Sequence, residues 1–287
     1  MIPLGLSLPV DYLRGACGGG EAGLYLAAFG PAREGLQRLR RTGVSTIELH
    51  RLSPLTGAEA VEQAAAAVLR AGLRVSVHGY LTEPHAGTGL LQACPWLPSV
   101  REMARGGQEC LRITVHALAG SSGPVDGFRR RTVELLGLWA RQASDAALPL
   151  RFALELNRAK GAVDPSTTWE GVESMCRQVG REEVGICWDW GHGYVNALRG
   201  LIPGEPPAGF LELVRNVHVH DVGPSGSTHW PLRGGGVPVE RFVQLLRKGG
   251  YPGTLVLELD PPRFQAEGPV GPRIEGSLER LRGLLDP

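Results

Sequence analysis

Eight short apolar runs recur along the chain, and helix-like segments lie between most of them. Each run has the length of a buried strand. The runs are IPLGLSL, STIELH, RVSVHGY, LRITVHAL, RFALELN, VGICWDW, VHVHDV and TLVLELD. Strands that alternate with helices form parallel sheets, so eight repeats within 287 residues predict an α/β fold closed into a (β/α)8 barrel. Since no linker or composition shift divides the chain, we expect one domain over residues 1–287.

The segments between the runs have the periodicity and the terminal glycines of amphipathic helices. The clearest of them cover residues 32–43, 57–72, 127–146, 167–180, 238–250 and 273–285. Glycine and proline interrupt the helical pattern near 96–107 and 193–215. The glycine-rich segment 15–30 follows the first strand, and we interpret it as a long loop.

The composition argues against several classes of protein. The net charge of +1 gives no overall field that would attract nucleic acid or a membrane. The first residues have neither the basic segment nor the apolar core of a signal peptide, and no apolar run reaches the roughly 18 residues of a membrane span. Five cysteines, an odd number without CxxC spacing, favour a reducing compartment. The sequence therefore predicts a cytoplasmic protein.

The predicted strands share a pattern of side chains near their C-terminal ends. Alternate residues of a barrel strand face the bore and the surrounding helices. If Asp189 faces the bore, then Cys187 does so too, whereas Ile186 and Trp188 face the helices. The same alternation on six other strands places small residues deep in the bore and an ionisable residue at the end. The seven ionisable residues are Glu48, His78, His116, Glu155, Asp189, His218 and Glu258.

These seven residues are 29 to 40 positions apart, so consecutive members belong to consecutive strands. The C-terminal ends of the strands form the catalytic mouth of such barrels, and we expect the seven residues to form a ring there. Carboxylates gathered without neutralisation would cost on the order of several kcal/mol. A single inward histidine is more often structural, but seven ionisable residues in register favour ligands of a divalent cation.

The roles of four further residues are also considered from the pattern. His220 shares the parity of His218, so one of them is a ligand and the other orients it or lines the site. Cys187, one layer below the mouth, is interpreted as a small core residue. His50 is expected at the rim, and His85 in an exposed loop rich in glycine and proline.

The order and spacing of several short segments resemble the xylose isomerase-like barrel superfamily. The segments are ELH, VHGY, VHALAG, ALELN, WDWGH, HVHD, HWPLRGGG and VLELD, and they run from about residue 44 to residue 260. That superfamily contains sugar isomerases and epimerases, hydroxypyruvate isomerase, inosose dehydratase and endonuclease IV. The resemblance implies a metal site formed by Glu155, Asp189, His218 and Glu258. The family pattern of a ligand histidine three residues before an aspartate selects His218, with Asp221, over His220.

The endonuclease IV branch of the superfamily implies further metals. The counterparts of His78, His116 and Glu155 hold a second ion in that branch. A third ion is held by the counterpart of His192 and by a D-x-H pair. Here the pair reads STH, with Ser227 in place of the aspartate and His229 retained. Because a hydroxyl is a poor anionic ligand, we expect no separate third ion in this chain.

The resemblance implies a metal-dependent isomerase or epimerase that acts on a small sugar, sugar phosphate or related polyhydroxylated carbonyl compound through an enediolate. Glu155 and Glu258 are the predicted catalytic residues, as metal ligands that also transfer the proton on either face of the substrate. Oxygen-rich ligands suit Mn²⁺, Mg²⁺ or Co²⁺, and the histidines keep Zn²⁺ as an alternative. The predicted substrate-binding residues are Glu48, His192, His229, Trp230, Trp96 and His220, with core packing as an equal alternative for each tryptophan.

Three alternative functions are compatible with the same residues. An abasic-site endonuclease would use His78 and His116 for its second metal, and a basic crescent around the mouth would favour it. An inosose dehydratase-like lyase is the second alternative. A barrel that only binds a ligand is the third, although both Glu155 and Glu258 are present. The net charge argues against nucleic acid as a partner, so we expect a small carbohydrate, with monomer and homo-oligomer both left open.

Overall fold

The computed structural model describes residues 2–50, 52–53, 55–81, 88–105, 107–234 and 236–285. Eight parallel strands form a closed barrel in chain order, because each strand pairs with the next and the last pairs with the first. This confirms the predicted (β/α)8 barrel. The strands are β1 (Leu4–Pro9), β2 (Val44–His50), β3 (Arg74–His78), β4 (Leu111–Val115), β5 (Leu150–Glu155), β6 (Val184–Asp189), β7 (Val214–Val219) and β8 (Leu255–Leu257).

Helices surround the barrel, and the six clearest predicted helices are all present with ends shifted by a few residues. The helices are α1 (Val10–Leu13), α2 (Gly20–Phe29), α3 (Ala32–Arg41), α4 (Ala58–Arg70), α5 (Leu90–Ala93), α6 (Leu97–Ala104), α7 (Val125–Asp145), α8 (Trp169–Val179), α9 (Trp190–Leu198), α10 (Ala208–Glu212), α11 (Val239–Lys248) and α12 (Val270–Leu285). Two single-turn 3₁₀ helices, Pro261–Arg263 and Gln265–Glu267, follow β8. Within the described residues, no helix combines the length and the apolar character needed to cross a bilayer.

The prediction of a loop over residues 15–30 was wrong for most of that segment. Gly20–Phe29 is the helix α2, although each helical glycine costs about 1 kcal/mol relative to alanine. The helix is held by burial of its aromatic side chains. The ring of Tyr25 lies 5.8 Å from that of Tyr12 and 6.4 Å from that of Phe29. Tertiary packing therefore overrides the low helix propensity of the segment.

The core between strands and helices contains the residues that were predicted to face outward. Ile186 and Trp188 of β6 are fully buried. The Trp188 ring lies 4.7 Å from that of Phe242 in α11 and 6.3 Å from those of Trp169 and Phe210. Large apolar side chains therefore fill the outer layer, which leaves the inward positions of the same strands for polar groups.

The bore below the mouth contains a layer of hydrogen-bonded polar side chains. The Asn216 side chain donates from Nδ2 to Thr114 Oγ1 at 2.9 Å and to Glu48 Oε2 at 3.2 Å. All three side chains are fully buried. The five cysteines are free thiols, and Cys187 is completely buried beside this layer. This hydrogen-bonded layer therefore supports the residues of the mouth from below.

Candidate metal centre and active site

Four strand ends bring together the four residues that were predicted as one metal site. Glu155 and Asp189 end β5 and β6, His218 lies in β7, and Glu258 directly follows β8. One ligand atom from each residue lies within 4.8 Å of those of the other three. All four side chains are buried. We refer to Glu155, Asp189, His218 and Glu258 as the quartet.

The imidazole of His218 is held between carboxylates on both of its nitrogen atoms. Its Nδ1 lies 3.0 Å from Glu258 Oε2 and 3.4 Å from Glu155 Oε2. Its Nε2 lies 2.9 Å from Glu48 Oε1 on the opposite edge of the ring. The Glu48 contact therefore occupies the edge of the ring remote from the quartet, and Nδ1 is the nitrogen that faces the other quartet residues.

Glu48 was predicted to bind substrate, and the structure does not place it where it could. The strand register pairs Glu48 with Ser76, two residues below His78, and pairs Pro9 with His50. Glu48 is fully buried beneath the mouth, whereas His50 reaches the rim. Inward parity predicts the direction of a side chain but not its depth, because neighbouring strands of a barrel are staggered.

A second group of ligands shares one carboxylate with the quartet. His78 Nε2 and His116 Nε2 lie 3.2 Å and 3.3 Å from Glu155 Oε2. His78 Nδ1 also lies 3.3 Å from Glu258 Oε1. The ligand atoms of His78, His116 and Glu155 lie within 4.8 Å of one another. The residues predicted for a second metal are therefore brought together.

A third group surrounds Asp189 and contains His192, His220 and His229. The Nδ1 atom of His220 accepts the backbone N–H of His229 at 3.0 Å, so the proton of this ring lies on Nε2. The Nε2 atom then donates to Asp189 Oδ2 at 3.1 Å. His220 thus orients Asp189, and His218 is the histidine that faces the quartet. Burial and the neighbouring His220 lower the pKa of His229 to about 3, so its imidazole is neutral.

Several buried atoms of the quartet lack hydrogen-bond partners in the part of the chain that the structure describes. They are both carboxylate oxygens of Glu155, Oε2 of Glu258 and Nδ1 of His218. The contacts of 3.0 to 3.4 Å between them do not have hydrogen-bond geometry. Buried polar atoms without hydrogen-bond partners are unfavourable, and a cation at the centre of the quartet would satisfy them. The donor set, three carboxylates and one imidazole, fits a divalent metal ion.

The buried acids and imidazoles of the mouth shift the pKa values of one another. Burial alone raises the pKa of Glu155, but the imidazoles around it, His116 first, lower that pKa well below its usual range. Burial likewise opposes ionisation of Glu258, and His218 is the main group that lowers its pKa. Burial lowers the pKa of His78, but the two glutamates together raise it to about 10. The carboxylates therefore stay ionised, and protonated imidazoles supply positive charge that a metal ion could replace.

A cavity of about 360 Å³ opens above the quartet and connects it with solvent. Its floor is formed by His78, His116, Glu155, His192, His229 and Glu258. Its rim includes His50, Tyr80, Lys160, Asp260 and Arg263. Of the rim residues, the sequence pattern predicted only His50. Lys160 and Asp260 could have been found as polar residues that closely follow the strand ends at Glu155 and Glu258.

The structure does not place the predicted substrate contacts Trp96, Trp230 and His220 at the cavity. Trp96 is buried in the hydrophobic core before α6. Trp230 is 7% exposed, and its Nε1 donates to Ser227 Oγ at 2.7 Å. For both tryptophans the core alternative describes the observed position. His85 lies outside the described residues.

Asp221, the aspartate of the HVHD segment, holds the loop that follows β7. Its Oδ1 accepts the backbone N–H groups of Val222 and Val237 at 2.9 and 3.0 Å. Its Oδ2 accepts the N–H of Arg233 at 3.0 Å. The residue is 3% exposed, so three backbone donors satisfy a buried carboxylate. Asp221 therefore fixes the loop that carries His229.

The closed barrel of eight parallel strands is the fold of a xylose isomerase-like barrel. A sequence model of the xylose isomerase-like TIM barrel family matches residues 36–284, and the chain belongs to that family. No curated protein matches the chain in sequence. Family membership therefore rests on the match to the family as a whole.

Solved structures with the same fold cover nearly the whole chain at low sequence identity. D-psicose 3-epimerase from Clostridium cellulolyticum H10, solved with D-tagatose, has 14% identity and a TM-score of 0.65 over 100% of both chains. D-allulose 3-epimerase from Methylomonas sp. has 16% identity and a TM-score of 0.62 over 99% of both chains. A xylose isomerase domain protein from Alicyclobacillus acidocaldarius has 16% identity and a TM-score of 0.65 over 99% of this chain and 98% of that one.

Proposed function

We propose that this protein is a metal-dependent isomerase or epimerase of a small sugar, sugar phosphate or related polyhydroxylated carbonyl compound. The observation that carries the proposal is the convergence of the quartet, with carboxylate and imidazole atoms that lack hydrogen-bond partners among the described residues, where its members Glu155 and Glu258 line a cavity of about 360 Å³. A cavity of this size suits a small ligand. The D-psicose and D-allulose 3-epimerases among the similar structures support the same reaction class.

The quartet would hold the catalytic ion. When bound, a divalent ion supplies Lewis acidity toward the carbonyl and neighbouring hydroxyl oxygens of the substrate. Mn²⁺, Mg²⁺ and Co²⁺ suit three oxygen ligands and one nitrogen ligand, and Zn²⁺ is the alternative. Ligand atoms of His78, His116 and Glu155 support a second ion beside the first.

Glu155 and Glu258 are the proposed groups that move the proton. Both are ionised, because the imidazoles around them keep the pKa of each carboxyl well below its usual range. Their oxygens approach His218 Nδ1 from two directions, at 3.4 and 3.0 Å. A substrate carbon above this atom would lie between two carboxylate bases. One carboxylate can remove a proton next to the carbonyl, and the other can return a proton to the opposite face.

Two histidines of the mouth would orient the substrate. His229 and His192 line the cavity, and His229 is neutral because its pKa is lowered to about 3. A neutral imidazole can donate to or accept from a sugar hydroxyl without adding charge. These rings would therefore hold hydroxyl groups while Glu155 and Glu258 act on carbon.

The proposal is tested by hydrogen exchange at carbon. A panel of ketoses, ketose phosphates and inososes is incubated with the protein in D₂O and a divalent metal. We expect at least one substrate to gain deuterium at a carbon next to its carbonyl. The variant Glu155→Gln should abolish the exchange, whereas Glu182→Gln, which changes an exposed glutamate before the N-terminal end of β6, at the opposite end of that strand from Asp189, should leave it unchanged.

Other products would identify other chemistry. Isomerisation without solvent deuterium would indicate hydride transfer and contradict the proton mechanism. Loss of water from an inosose would indicate the lyase alternative. Metal-dependent nicking of abasic-site DNA, without exchange on any panel member, would replace the proposal with the hydrolase alternative, which the grouping of His78, His116 and Glu155 also supports.

A further inference from the structure

The loop that follows β5 holds Lys160 in a defined position at the rim of the cavity. The neighbouring residue Ala159 is fixed through both of its backbone groups. Its N–H donates to Asn196 Oδ1 at 3.0 Å, and its carbonyl accepts from Arg199 Nη1 at 2.6 Å. Asn196 also donates to the carbonyl of Asn157 at 2.9 Å. The backbone that presents Lys160 is therefore held in place before any ligand arrives.

The ammonium group of Lys160 has no acidic partner within the described segments of the chain. Three carboxylates line the same cavity, and each faces other cationic groups. Glu155 and Glu258 are surrounded by histidines. Asp260 pairs with Arg263, whose Nε lies 2.6 Å from its Oδ2. Lys160 is exposed, lines the cavity and carries a positive charge that none of these acids neutralises.

Arginines next to this loop add positive charge on the same side of the mouth. Arg158 Nη1 donates to the carbonyl of Gly226 at 3.0 Å, and Arg263 Nη1 donates to that of Thr228 at 2.8 Å. Arg199 is held in the same way, through the carbonyl of Ala159. Burial lowers the pKa of Arg158, and the charges of Arg263 and Arg199 lower it further.

The choice of lysine at this position stands out against the composition. Lys160 and Lys248 are the only lysines among the 30 Lys and Arg residues of the chain. An ammonium group is a compact charge on a flexible stem, and it can follow a ligand that moves. Lysine also binds phosphate as a point charge.

We propose that Lys160 forms an anion subsite at the rim of the cavity, and that the substrate carries an anionic oxygen group at the end remote from its reacting carbonyl. The inference rests on the proposed function and specifies its substrate class. The carbonyl end of the sugar lies over the quartet, and the anionic end reaches the rim where Lys160 projects. A phosphate monoester and a carboxylate share this chemistry, and the test distinguishes between them.

The test measures binding, so it does not depend on turnover. Calorimetric titrations with Mn²⁺ present compare a ketohexose, its terminal phosphate ester and the corresponding sugar acid on the same protein. We expect at least one anionic ligand to bind about tenfold or more tightly than the uncharged sugar. Lys160→Met should remove most of that preference, because it should weaken binding of the anionic ligand far more than binding of the uncharged sugar, and Lys160→Arg should retain most of it. Lys248→Met, which changes the only other lysine, should behave as the unchanged protein.

Each outcome bears on the inference separately from the proposed function. Preference for the phosphate ester or for the sugar acid identifies the anionic group, and both support the subsite. An anion preference that survives in Lys160→Met, or no preference at all, overturns the inference even if the uncharged sugar exchanges deuterium. Lys160-dependent binding without exchange on any substrate leaves the subsite and overturns the proposed function. Binding of abasic-site DNA that depends on Lys160 and exceeds that of every sugar would overturn the assignment of a small substrate.

Discussion

Glu48 Oε1 lies 2.9 Å from His218 Nε2, and both side chains are completely buried. The carboxylate packs against the edge of the imidazole that points away from the quartet, so it restricts the orientation of that ring. Residues that orient a ligand in this way commonly affect metal affinity by about 10- to 100-fold. Glu48 is therefore a positioning residue for the proposed metal centre.

Replacement of Glu48 tests this role. In Glu48→Gln the amide can still contact His218, but it carries no negative charge to polarise the imidazole, so Nδ1 becomes a poorer ligand. We expect metal affinity to fall by about tenfold or more, as measured by competition with a chromogenic chelator. Glu182→Gln is the control for an exposed glutamate. Unchanged affinity in Glu48→Gln would mean that the contact is only structural.

Metal content provides the direct test of the quartet. Elemental analysis of the purified protein should give about one tightly held divalent ion per chain, or about two if the group around His78 is also filled. Glu258→Ala removes one of three carboxylates and should lower that content. Protein that contains no metal after growth and dialysis with Mn²⁺, and whose content is the same in Glu258→Ala, would contradict the site.

The pair His192 and His229 should not hold an ion of its own. The aspartate of the D-x-H pair is missing at this site, because residue 227 is serine. The Oγ atom of Ser227 accepts the indole N–H of Trp230 at 2.7 Å. Anomalous scattering from a metal-soaked crystal should show no full-occupancy ion bonded to both histidines. Ser227→Asp adds an anionic ligand to the loop that carries His229, and we expect it to create such a site. An ion on both histidines of the unchanged protein would contradict the prediction.

Gly191 makes room for the histidine that orients Asp189. A Cβ atom at this position would come within 1.9 Å of His220 Cε1. We expect Gly191→Ala to lower the free energy of unfolding by about 1–3 kcal/mol, because the ring must move and its contact with Asp189 is weakened. Urea denaturation would measure the change. Gly276→Ala in α12, where a Cβ would meet nothing within 4 Å, is the matched control and should be neutral or stabilising.

The alternation of apolar and polar residues was enough to predict the barrel and the residues that face its interior, whereas the family resemblance was needed to select the quartet among them. Outward residues such as Ile186 and Trp188 are buried against helices, and the inward residues Asp189 and His218 pair in register on adjacent strands. This worked because a strand has a period of two and a barrel has only one interior. Parity could not separate Glu48 from Glu155, since the depth of each depends on stagger between strands.

Loops and glycine-rich segments could not be predicted in the same way. The contacts that decide them join residues far apart in the chain. Trp230 is buried because its loop is tied down by Asp221, and nothing in its immediate sequence indicates this. Helix α2 forms because Tyr25 packs against Tyr12, although its glycines favour a loop. Lys160 reaches the mouth because Asn196 and Arg199 hold Ala159.

The short strand β8 has a consequence for how the barrel closes. Leu255–Leu257 is only three residues long, yet it must join β7 to β1 and complete the cylinder. Glu258, the member of the quartet nearest the C-terminus, follows β8 directly. It therefore lies at the junction of β7, β8 and β1, which we call the seam of the barrel. An ion held by Glu258 together with Glu155, Asp189 and His218 would tie this seam to three strands that are already paired. Removal of the ion should then loosen the seam first, and amide hydrogens of β8 and β1 should exchange with solvent sooner than those of β5.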